Sequence, residues 1–149
     1  MIDREDGKAL DLMIASDVMT AAPRTCSTFS TVLEAVMIFR DNDCGAVPIL
    51  EDGKPVAILT DRDVALAISE APGLAGHTVD SIMTRGVVSV KLDEPLEDVC
   101  EVLRAQGVRR VLVVDGDGMV RGIIGWADIA PVLSDRMMGQ VVKNAVTPA

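Results

Sequence analysis

Two stretches of the chain carry apolar residues at the spacing of one helical face: Val32, Ala35, Val36 and Phe39, then Leu96, Val99, Cys100 and Leu103. This i, i+3, i+4, i+7 pattern predicts two amphipathic helices. Thr31 and Glu34 have the spacing of a capping box at the start of the first helix. Pro95 suits the first helical position of the second. Each helix is followed by two β-like runs around a Gly/Asp turn, AVPILEDGKPVAIL (46–59) and RVLVVDGDGMVRGII (110–124), which predict two hairpins, the second with one more turn residue. Closing helical stretches follow, RDVALAISEA (62–71) and WADIAPVLSDRMMGQVV (126–142). Pro131 would limit or kink the latter unless it falls in its first turn.

The second set of elements repeats the first. DVMT (17–20) returns as SIMT (81–84), an offset of 64 residues that also superimposes the two helical stripes. After the longer turn the offset becomes 65 and pairs Asp63 with Asp128. The chain is therefore a mixed α/β (α+β) duplication, each copy running extended segment, helix, strand, strand, helix. Its parts are an N-terminal extension (1–15), in which ALDLMIA suggests a packing helix, a first repeat (16–72), a linker (73–79), a second repeat (80–134) and a C-terminal tail (135–149). A unit of about 60 residues buries only ~60 % of its extended-chain surface. Two tandem copies are thus expected to pack their apolar faces together with pseudo-twofold symmetry, leaving clefts between them.

Composition narrows the partners. The chain is 49 % hydrophobic, with 23 acidic residues against 14 basic ones and a formal net charge of −9. That charge opposes general attraction to nucleic acid or an anionic membrane, and no apolar run approaches the about 20 residues a spanning helix needs. With no signal-peptide pattern at the start, the expectation is a soluble cytoplasmic protein. Cys26, Cys44 and Cys100 are odd in number and never in a CxxC pattern, so neither a disulfide framework nor a metal site is expected. Cys44 and Cys100 suit small core positions, and His77, in the polar linker GLAGHTVD, a solvent-facing one.

The paired VMT/IMT segments, the two helix stripes, the second strands AVPIL and RVLVV, and the junctions AILTDRD and GIIGWAD occur in one order, twice. Over about 16–133 the chain resembles a tandem pair of cystathionine-β-synthase (CBS) domains, a Bateman module. The resemblance implies βαββα repeats with two sheets packed face to face, and reversible binding of adenosine-containing ligands in the clefts between repeats. It further implies association into disc-like homodimers.

The junction TDRD (60–63) has its own chemistry. A helix starting near Asp61 leaves unpaired N–H groups beside the Thr60 hydroxyl, a place for a phosphate that Arg62 could also contact. Asp63 suits the two hydroxyls of a ribose, and Thr60 and Asp63 match the family's strand-end Ser/Thr-x-x-Asp pattern. The alternative is that Asp61 and Asp63 merely favour the positive helix end, worth roughly 0.3–1 kcal/mol each. In the second copy Asp128 remains, while Gly125, Trp126 and Ala127 replace Thr60, Asp61 and Arg62. Arg109 and Arg110 precede the second strand there, as phosphate contacts or as strand-edge charges. Trp126 could stack on a base or pack partly buried. Two unequal clefts are expected, the one using Thr60 and Asp63 binding tighter. By resemblance, the segment after each Met-Thr and the start of each second strand, Ala46 and Val47 or Val111, would line the adenine pocket.

No nucleophile elbow, P-loop or dinucleotide fingerprint is present, so the chain is not expected to be an enzyme. The expectation is a regulatory module with no required cofactor, taking an adenine nucleotide or S-adenosylmethionine as ligand and signalling to an effector protein. A constitutive dimerisation scaffold with vestigial clefts is the second possibility, and a small nucleotide-acting enzyme the third.

Overall fold

A computed structural model describes residues 12–133. Their elements are α1 (Ala15–Val18), β1 (Thr20–Ala21), β2 (Cys26–Ser27), α2 (Val32–Asn42), β3 (Ala46–Glu51), β4 (Lys54–Thr60) and α3 (Asp61–Ile68). Then come β5 (Ser89–Lys91), α4 (Leu96–Gln106), β6 (Arg110–Val114), β7 (Val120–Gly125) and a helix over 126–133, named α5 here. The mixed α/β class is as the periodicity predicts, and the two sheets are as the resemblance implies. The expected extension of the last helix beyond 133, most of the N-terminal extension and the tail lie outside the described residues.

Local chemistry sets the helix ends. The Thr31 hydroxyl accepts the Glu34 N–H at 3.1 Å, which is half of the expected capping box. Pro95 stands one residue earlier than expected, as the cap before α4. There it keeps its own extended backbone and bridges to Ile14. α4 ends at Gly107, whose φ of 65° lets its N–H return to the carbonyls of Leu103 and Arg104. α3 stops at Ile68, before the expected residue 71. α5 continues through Pro131, so the proline does not end the helix there. The carbonyl deprived of its donor belongs to Ala127, an exposed residue.

Most of the stripe residues bury as read, Phe39 being only half-buried where its counterpart Leu103 is fully buried. Val32, Ala35, Leu96, Val99 and Leu103 are buried, but Val36 is 37 % exposed and its counterpart Cys100 only half-buried. Both occupy the i+4 position, which lies at the edge of the stripe. The strand registers repeat as well: parallel β2 and β3 align Cys26 with Ile49, and parallel β5 and β6 align Val90 with Val113, each residue shifted by 64. The tight β3–β4 turn places Asp52 and Gly53 at φ 52° and 79°, as a type I′ hairpin requires.

The chain forms two compact units that interleave in sequence. One contains residues up to 21, 88–114 and from 122 onward, with a four-stranded sheet in the order β1-β7-β6-β5. Its core joins Met13 and Ala15 to Val90, Leu96, Val99, Leu103, Val111, Val113, Ile124, Ile129 and Val132. Residues 13–15 are thus core of this unit rather than an added helix. The other unit contains 22–87 and 115–121, with the sheet β2-β3-β4 and a core built on Val32, Ala35, Val47, Ile49, Ala57 and Leu59.

Each repeat's Met-Thr segment sits in a defined slot. β1 runs antiparallel to β7, and Met19 covers Gly122 so closely that a Cβ there would meet its Cγ at 2.8 Å as well as its sulfur. Just beyond, the backbone turns left-handed at Ala22 (φ 48°), whose N–H reaches the Arg121 carbonyl at 3.0 Å. Gly86, 64 residues on, has φ 125° and bonds the Val56 carbonyl at 2.8 Å. In the hairpin tip, Asp115 accepts the N–H groups of Asp117 and Met119, and the Met119 bond first, then Asp117 and Arg121, hold its carboxyl below the usual range. Lys54 donates to the Asp117 carbonyl.

Two stability changes are expected. Gly122→Ala overfills the Met19 slot and should cost about 1–3 kcal/mol in urea unfolding. Ala22→Gly relieves a left-handed alanine worth about 1–2 kcal/mol and loses about 0.5–1 kcal/mol to unfolded-chain entropy, so the same measurement should show a net gain of up to about 1.5 kcal/mol.

Candidate functional site

The junction at residues 60–63 is a closed capping box. Thr60 is the last residue of β4 and pairs with Ala46. Its hydroxyl accepts the Asp63 N–H at 3.2 Å, while Asp63 Oδ2 accepts the Thr60 N–H at 2.9 Å. Both side chains are half-buried. Asp61 donates its N–H to the Gly45 carbonyl at 3.0 Å, and its carboxylate would lie 3.1 Å from a Cβ at residue 45. That close approach accounts for the glycine before β3. Arg62 is exposed and makes no ion pair or hydrogen bond among the described residues.

The box leaves chemistry unused. A threonine hydroxyl carries one O–H besides its lone pairs, and a carboxylate has two oxygens. The cap takes a Thr60 lone pair and Asp63 Oδ2, so among the described residues the Thr60 O–H and Asp63 Oδ1 have no partner, with the Arg62 guanidinium one residue away. A hydroxyl donor, a cation and a bare acceptor oxygen suit a phosphate ester of a diol-bearing sugar.

The matching corner of the second repeat is built differently. The Gly125 N–H donates to Asp128 Oδ2 at 2.8 Å, repeating the Thr60–Asp63 bond, but glycine returns no hydroxyl. The Thr20 hydroxyl approaches the second Asp128 oxygen at 3.4 Å. A Cβ on Gly125 would lie 3.5 Å from Arg110 Cγ and 3.6 Å from the Arg109 carbonyl, so the Arg110 stem runs beside the place a side chain would fill. The first repeat pairs small Ala46 with Thr60; the second sets large Arg110 against Gly125. Sequence inspection missed Gly45 and Thr20. The signal for Thr20 was its repeat in Met-Thr, and Gly45 gave none before Asp61 was seen on it.

Other expected residues are more dispersed. Val47 and Val111 are fully buried in the two cores, and Ala46 is half-buried beside Thr60. Arg109 is exposed and Arg110 half-buried. Trp126 is 37 % exposed and, with Met13, Leu96, Cys100 and Val132, lines a cavity of about 540 Å³ whose wall also carries Glu97, Glu101 and Arg104. His77 is exposed. Cys44 is exposed too, against the expectation of a core position, because it follows the end of α2 in the turn before β3. Burial pushes the Cys26 and Cys100 thiols up. Among the described residues no cluster of His, Cys, Asp or Glu is placed to hold a metal, and no helix is long and apolar enough to cross a membrane.

Comparison with known proteins matches the CBS domain model twice, over residues 15–70 and 79–135. The chain belongs to the CBS domain family. Among curated relatives, the CBS domain-containing protein YhcV of Bacillus subtilis is 33 % identical over 130 residues, covering 86 % of this chain and 91 % of its own. Hypoxic response protein 1 of Mycobacterium tuberculosis is 30 % identical over 137 residues, covering 90 % and 94 %. Among solved structures, the CBS domain pair of protein MJ0100, in complex with 5′-methylthioadenosine and S-adenosyl-L-methionine, superimposes with a TM-score of 0.74 at 28 % identity. That match covers 84 % of this chain and 98 % of the MJ0100 pair. The corners described above are therefore the strand-to-helix junctions of two CBS repeats.

Two substitutions separate the caps by urea unfolding. Thr60→Ala should lose about 1 kcal/mol. Gly125→Ser has ordinary contact room, completes the second box, and should gain a few tenths of a kcal/mol.

Proposed function

We propose that this chain is a cytoplasmic regulatory module that binds an adenosine-containing ligand at the Thr60–Asp63 corner, works by binding rather than turnover, and passes a conformational change to an effector protein as a homodimer. In this proposal the Thr60 O–H and Arg62 hold a phosphate, Asp63 Oδ1 accepts the ribose hydroxyls, and Ala46, with the backbone at Val47, borders the base. The observation that carries it is the spare capacity of the capping box: the helix start is satisfied while, among the described residues, one hydroxyl proton, one carboxylate oxygen and one guanidinium have no partner. The adenosine ligands of the MJ0100 pair support the ligand class. The Asp128 corner, with Val111 behind it and Arg109 and Arg110 beside it, is the weaker site in this proposal, because its hydroxyl is gone and Thr20 stands at its second oxygen. The same box also favours a second possibility, a constitutive scaffold in which Thr60 and Asp63 serve only the helix start.

Thermal unfolding of nucleotide-free protein with AMP, ADP, ATP and S-adenosylmethionine tests the proposal. A ligand at 100 times its Kd adds about 2.7 kcal/mol, which should raise the midpoint by several degrees. Arg62 lies outside the cap, so Arg62→Ala should leave the unliganded midpoint nearly unchanged and reduce the rise for phosphate-bearing ligands alone. Asp63→Asn should reduce it for every adenosine ligand. No rise with any ligand would leave the scaffold.

A further inference from the structure

We propose that Asp61 sets how many phosphates the Thr60–Asp63 corner accepts: an adenosine compound carrying at most one phosphate enters, and a di- or triphosphate is turned away. The inference rests on the ligand reading above and names the ligand class within it.

The helix start does not need the Asp61 side chain. Thr60 and Asp63 already close the cap, and α5 starts at the equivalent corner with Trp126 in the place of Asp61. Among the described residues the Asp61 carboxylate accepts no hydrogen bond and makes no ion pair. It is nevertheless held in one place. The Asp61 N–H is spent on the Gly45 carbonyl at 3.0 Å, and its Oδ2 would lie 3.1 Å from a Cβ at residue 45. The carboxylate therefore stands over Gly45, next to the start of β3, on the residue between Thr60 and Arg62.

The charge at the corner follows from this placement. Asp61 and Asp63 set two carboxylates against the single guanidinium of Arg62. A first phosphate is met by the Thr60 O–H and by Arg62. Each further phosphate adds roughly one negative charge, and residues 44–46 and 60–63 contain no second cation to meet it. Like charges about 6 Å apart at a protein surface cost on the order of tenfold in affinity.

The second corner is built with the opposite sign. It carries Arg109 and Arg110 at the positions of Gly45 and Ala46, Trp126 at that of Asp61, and Asp128 as its one carboxylate. The Arg110 stem runs beside Gly125, and neither arginine makes an ion pair among the described residues. Asp61 and the glycine under it are thus exchanged together, for an indole and a guanidinium. Equivalent backbones hold a net negative corner in one repeat and a net positive one in the other.

Isothermal titration of the nucleotide-free whole chain with adenosine, AMP, ADP and ATP tests this, in EDTA so that no divalent cation neutralises the phosphate chain. Binding at this corner is the part lost in Asp63→Asn. There wild type should hold ATP at least about tenfold more weakly than AMP. Asp61→Asn, shown to be folded by its urea transition, should leave adenosine unchanged and strengthen ATP at least about tenfold, with AMP and ADP between. The ratio of ATP to AMP affinity should rise with salt in wild type and change little in Asp61→Asn. ATP held as tightly as AMP in wild type, or an Asp61→Asn effect that is absent or equal for all four ligands, overturns the role of Asp61 and leaves the corner standing as a site. Binding of none of the four, or binding indifferent to Asp63→Asn, overturns the site and this inference with it.

Discussion

The structure depends on completing a core that one repeat is too small to make. A segment of about 60 residues leaves too much apolar surface in water to be stable alone, and neither compact unit coincides with one stretch of sequence. Residues 13–21 are packed with the second repeat's strands, where Met13 and Ala15 enter the core and Met19 fills the space above Gly122. Residues 80–87 are packed with the first repeat's strands, where Gly86 bonds Val56 and Ile82 and Met83 pack on the core. A repeat excised at its own boundaries would lack part of its core, and the second would also lose β1, one edge of its sheet.

Much of this was legible because side-chain periodicity and repeat offset report the same thing. The inward stripes, the hairpins and the constant registers Cys26–Ile49 and Val90–Val113 follow from apolar residues recurring 64 positions apart. The exchange of leading segments was not legible. An offset states which residues correspond, and says nothing about which sheet an extended segment joins, since Thr20 would alternate equally well beside β4 or β7. The errors at Val36, Cys44 and Pro95 are boundary errors, each one position beyond where packing or capping decides the outcome.

At the candidate site the same two residues serve the fold and face outward. Thr60 and Asp63 are polar because a helix start needs them, and that need alone explains their spacing. Among the described residues the cap leaves unused the Thr60 O–H, one Asp63 oxygen and Arg62. The second corner shows the cap reduced: Gly125 supplies only its N–H, and Arg110 runs beside the space the hydroxyl would take. Ala46 with Thr60, and Arg110 with Gly125, exchange a large and a small side chain across equivalent positions. The two corners therefore present different chemistry on equivalent backbones.

The duplication is thus most informative where its copies disagree. Positions that face a core are held to apolar residues in both repeats, since a polar group there would be desolvated without a partner. Outward positions carry no such constraint, and they diverge in a correlated way: Phe29, Leu33 and Met37 against Asp93, Glu97 and Glu101 on the helices, Thr60 and Arg62 against Gly125 and Ala127 at the corners. Random drift on a solvated surface would scatter these changes among residue types. Instead one repeat keeps an apolar outer helix and an equipped corner, while the other turns acidic and sheds the hydroxyl and the cation. The two repeats therefore differ in the chemistry they turn outward while their inward residues stay equivalent.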